Sequence, residues 1–138
     1  MKTSIPEMTQ RFLTLLKVDS FNLMNRIIER QEEYLNDFSL KRDRAIFAEI
    51  FYNRYVTTSM NDLAQLPIEI IELANDFYTQ VDNLRWYLMH TQDMPNTIEE
   101  EIQRQTASLK KKQDNLLLYI NVELAGEDMS EPQMTYDT

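Results

Sequence analysis

Apolar residues recur at helical spacing in five segments of the chain, and in the last two they alternate strictly between steps of four and three. Ile70, Ala74, Phe77, Val81, Leu84 and Leu88 form one such seam. Ile102, Thr106, Leu109, Gln113, Leu116 and Ile120 form the other, flanked by Leu117 and Leu124. Seams of this kind suit long helices packed antiparallel at shallow angles. The pattern predicts an all-α fold: an antiparallel bundle of four to five helices with a long C-terminal helix and a short acidic tail.

The punctuation between segments supports that division. Pro67 is placed to open the fourth helix at its first position, where a missing N–H costs nothing, and Glu69 and Glu72 then lie near the positive end of the helix dipole. "DMPN" interrupts the pattern before Thr97, which is spaced to cap the fifth helix with Glu100 completing a capping box. Gly126 falls where a left-handed C-terminal cap is needed. Residues 97–125 therefore read as one helix of about 40 Å.

The N-terminal half is less regular. A short helix over residues 7–17, apolar at Met8, Phe12, Leu15 and Leu16, is expected to cover one side of the bundle. Phe21, Met24, Ile28, Leu35 and Phe38 share a second face. Leu40, Phe47, Ile50, Phe51 and Tyr55 are rotated from it, which places a break near Ser39, itself a competent N-cap; a bent continuous helix is the alternative. Ser59 is positioned to cap one short turn bearing Met60, Leu63 and Ala64.

Composition adds mainly exclusions. With 138 residues the chain fits one domain able to bury a core unaided. The expected division is a helical bundle over 1–126 and an acidic, disordered tail over 127–138, which holds four acids and no base. One Gly and four Pro are too few for a turn-rich β architecture. No Cys is present, so disulfides, thiolate zinc sites and cysteine nucleophiles are ruled out. The apolar run Phe12–Leu16 is too short for a signal peptide or a membrane span, and a cytoplasmic address is expected. A formal charge of −9 opposes nonspecific attachment to nucleic acid or anionic lipid, so neither is expected as a partner. Lys110, Lys111 and Lys112 read as a solvated face rather than a phosphate site.

Catalytic chemistry is thinly represented. One His cannot furnish the paired Glu-x-x-His motifs of a helical di-iron site, and a chain with one Gly lacks phosphate-cradling loops and strained nucleophile turns. A bundle presenting His90 resembles histidine phosphotransfer domains in outline. His90 is followed by "TQDMP", however, without their Lys-Gly pair, and Asp93 would repel a phosphoryl group. A second reading is a magnesium-dependent, all-helical nucleotide pyrophosphohydrolase, whose family pairs carboxylates three apart on facing helices. Glu29 with Glu32 and Glu69 with Glu72 have that spacing, while Asp76 lies four beyond Glu72.

"RWYLMHTQDMP" holds the single Trp and the single His. With Leu84 and Leu88 pointing inward, Trp86 projects to the far side, with Met89 and His90 one turn along and Tyr87 at the edge of the seam. Two expectations follow. Either a neighbouring helix buries Trp86, or Trp86, Tyr87, Met89 and His90 form a docking surface for another protein or a second copy of this chain. The sequence thus favours a non-enzymatic protein–protein interaction module, an adaptor, secretion or assembly chaperone, or regulator, with no cofactor. The pyrophosphohydrolase carried by Glu29, Glu32, Glu69, Glu72 and Asp76 stands as the alternative.

Overall fold

The computed structural model describes residues 5–41, 44–91 and 98–128, with backbone alone for 39–41 and 127–128. Among these residues there are six α-helices and no strand: α1 (Glu7–Glu29), α2 (Gln31–Lys41), α3 (Ala45–Ile50), α4 (Met60–Leu63), α5 (Ile68–His90) and α6 (Ile98–Asp128), with a 3-10 turn at Tyr55–Thr57. The all-α bundle is as the periodicity predicts. None of these helices is long and apolar enough to cross a membrane.

The long helix α6 is the spine, packed most extensively on α5 and then on α1. Gln113 donates to the Ser20 carbonyl of α1 at 3.5 Å, and Gln80 of α5 donates to Gln105 at 3.3 Å. All six apolar positions of the α5 seam are buried, joined by Tyr78. On α6, Ile102, Leu109, Gln113, Leu116 and Ile120 are buried as expected. Gln105 takes the position expected for Thr106, which is half-buried.

The N-terminal half corrects the sequence reading in two places. First, residues 7–29 form one helix whose buried face is Thr9, Leu13, Leu16, Ser20, Leu23, Met24 and Ile27. Met8 and Leu15 are instead 66% and 57% exposed, and Phe21 and Ile28 also face outward. Thr9 and Ser20 are small enough to sit against a neighbouring helix, and Ser20 satisfies its hydroxyl on the Lys17 carbonyl. Their polarity hides the true stripe from a hydropathy reading. Second, an unexpected break falls at Arg30, between α1 and α2, while the break expected near Ser39 is met to within two residues, α2 ending at Lys41 and α3 beginning separately at Ala45. At the bend the Tyr34 hydroxyl donates to the Ile27 carbonyl at 3.0 Å, a side chain entering the backbone ladder, which is a recognised cause of kinks. Arg30 grips Glu33 at 2.7 Å and Glu49 of α3 at 2.8 Å, tying the bend to the next helix. The Arg30 guanidinium holds the Glu33 carboxyl below the usual carboxylate range.

Past the bend, Tyr34, Phe38, Phe47 and Phe51 make an aromatic cluster with neighbouring ring centroids 5.9 to 6.4 Å apart. Arg44 lies 4.6 Å over the Phe38 ring and donates to the Leu88 carbonyl at 3.2 Å and to the Thr91 carbonyl. A cation is thereby placed at the negative end of α5.

Helix ends follow the sequence in part. Ser59 caps α4, accepting from the Asp62 N–H at 3.1 Å. Pro67 precedes the first residue of α5 by one position, and its carbonyl accepts from Ile70 and Ile71. Gly126 is not a left-handed cap: α6 continues through it to Asp128, so the helix passes the expected boundary of the bundle. The capping box at Thr97, and the expected tail from residue 129 onward, lie outside the described residues.

Candidate functional site

The seam of α5 fixes where Trp86 goes. Leu84 and Leu88 are fully buried, and at 100° per residue the position between them points away from α6. Trp86 is 57% exposed. Among the described residues no neighbouring helix covers it, so the expectation of internal packing is not met. The indole instead stacks on the His90 ring, with centroids 4.1 Å apart and planes at 17°. Nδ1 of His90 donates to the Trp86 carbonyl at 2.9 Å, which locks the imidazole one turn along the helix. Met89 is 37% exposed beside them. Tyr87 is half-buried and packs against the core, so of the four expected residues it anchors the patch rather than presenting it.

The patch is consequently a flat aromatic plate held by its own helix. Its indole and imidazole faces are prearranged by the stack and the hydrogen bond, which reduces the side-chain entropy a partner must remove on binding. Asp82, one turn earlier, is paired with Arg85 at 2.9 Å. That ion pair gives the patch a polar margin on its N-terminal side.

The carboxylates of the alternative reading are dispersed. Glu29 ends α1 and Glu32 lies on α2 beyond the bend, so their spacing of three no longer places them on one regular helix. Glu69, Glu72 and Asp76 are exposed on α5. Among the described residues no three His, Cys, Asp or Glu side chains are grouped so as to hold a metal ion. Of the lysine run, Lys110 pairs with Asp114 at 3.2 Å across one turn.

A second surface was not legible as such. Between α1 and the segment 52–58 lies a cavity of about 260 Å³ lined by Phe12, Leu15, Val18, Tyr52 and Tyr55, with Asp19, Arg26 and Arg54. The available signal is the surplus of apolar residues on α1, which carries Met8, Phe12 and Leu15 in addition to the stripe facing α6. No family model, curated protein or solved structure matches this chain.

Proposed function

We propose that the chain is a non-enzymatic protein-binding module, an adaptor, assembly chaperone or regulator, that docks through the end of α5. The observation that carries this reading is the outward Trp86, stacked on His90 and flanked by Met89, on the face opposite the core. A large aromatic side chain left in water forgoes about 1.5–3 kcal/mol of burial free energy, which a partner covering it would recover. Trp is also among the residues most enriched at binding hot spots, and Met adapts to differently shaped partners. The acidic charge and the dispersed carboxylates give no comparable support to a nucleic-acid or metal-dependent role.

Photo-crosslinking tests the reading. A photoreactive phenylalanine at Asn83, exposed one turn from Trp86, should give a discrete adduct with a protein in native lysate. The same group at Lys111 on α6 should not. The adduct should vanish when Trp86→Ala is added. No adduct, or one insensitive to Trp86→Ala, contradicts the proposal.

A further inference from the structure

The furrow between α1 and the segment 52–58 is preformed. Asp19 on its floor accepts from the Tyr78 hydroxyl at 2.7 Å and from the Arg54 N–H at 3.1 Å. Tyr55 stacks on Tyr78 with centroids 4.2 Å apart and planes at 2°. Arg26 donates to the Ile50 carbonyl at 3.1 Å and to the Tyr52 carbonyl, fixing the start of the segment. Of the apolar walls, Leu15 and Val18 are exposed on α1, and Phe12 is half-buried against the core.

Its charge is unlike that of the chain. Two guanidinium groups line the cavity against one carboxylate, Asp19, which already has two donors. Arg54 is exposed and its guanidinium forms no ion pair with any described residue. In a protein of net charge −9 this is a local cationic edge on an apolar cavity. The cavity is also the middle of a longer track. Leu15 lines a second depression with Leu124 and Arg11, which is paired with Glu7, and Tyr52 and Tyr55 line a third with Val56 and the Asp82–Arg85 ion pair, so the positive charge of the track is concentrated at the central cavity. A track of that form fits an extended chain better than a compact molecule.

We infer that this furrow binds an acidic peptide segment of a partner, with one apolar side chain seated in the cavity and a neighbouring carboxylate on Arg54. The inference rests on reading the chain as a protein-binding module but uses a surface that Trp86 does not line.

Selection of phage-displayed random dodecapeptides on the immobilised full chain reads the preferred chemistry directly. Recovered peptides should pair Asp or Glu with Leu, Phe or Trp. A synthetic copy should lose about tenfold or more in affinity with Arg54→Glu, and added salt should weaken it more in the native chain than in Arg54→Gln. Leu15→Asp should also weaken it, and Trp86→Ala should not. Recovery of no peptide, a basic consensus, or acidic peptides indifferent to Arg54→Glu overturns the inference. Peptides lost with Trp86→Ala alone overturn it while supporting the docking role of α5.

Discussion

The Tyr78 hydroxyl on α5 donates a 2.7 Å hydrogen bond to Oδ2 of Asp19 on α1, joining two helices that are distant in the chain. Because the acceptor is a carboxylate, the bond belongs to the stronger, charge-assisted class. Tyr78→Phe keeps the ring that stacks on Tyr55 and removes only the donor. It should cost about 1.5–3 kcal/mol in urea unfolding. A change near zero would show that water replaces the bond without loss.

Burial pushes the phenols of Tyr34 and Tyr78 well above the ordinary tyrosine range, and at Tyr78 the charge of Asp19 adds to the effect. Unfolded tyrosines ionise near pH 10, so above that pH the native state holds protons that the unfolded state has released. Stability contributed by these groups is complete below about pH 10 and is lost as pH rises toward the folded values. The urea midpoint should fall between about pH 9 and pH 11, and fall less in the Tyr34→Phe/Tyr78→Phe double variant. Equal slopes would contradict the assignment.

Leu84 and Leu116 are fully buried on the facing helices α5 and α6. Leu84→Ala and Leu116→Ala should each cost about 2–5 kcal/mol, through lost transfer free energy and an incompletely collapsed cavity. Small effects at both would refute the packing of the central helix pair.

Thr106 carries a buried hydroxyl oxygen with no hydrogen-bond partner among the described residues. Thr106→Val removes that oxygen at nearly constant shape and should leave stability unchanged or raise it by up to about 1 kcal/mol. A loss of more than about 1 kcal/mol would show that the hydroxyl has a partner, such as an ordered water.

The regular half of the fold was legible because α5 buries an unbroken apolar seam and α6 keeps the same period with Gln105 and Gln113 at two of its buried positions. The α1–α2 region was not, because Thr9 and Ser20 occupy the buried stripe while Met8, Leu15, Phe21 and Ile28 face outward. Hydropathy therefore finds only part of the buried face, Leu16, Met24, Leu35 and Phe38, and the break at Arg30 coincides with a Tyr34 contact that no local signal marks. At the candidate site the phase of α5 correctly directed Trp86 away from α6, but whether another helix covers that side is a tertiary fact. Gly126 shows the converse limit: a glycine near a helix end does not oblige a left-handed cap when the helix continues past it.

Whether Trp86 serves a partner rather than the core is tested most directly by the dissociation constant of the protein cross-linked through Asn83, compared between the native chain and Trp86→Ala. A docking role for Trp86 predicts a loss of about 2 kcal/mol or more, on the order of thirtyfold, in a variant whose unfolding free energy stays within about 0.5 kcal/mol of the native chain. Unchanged affinity, or destabilisation of about 3–5 kcal/mol as for a buried aromatic, would contradict it.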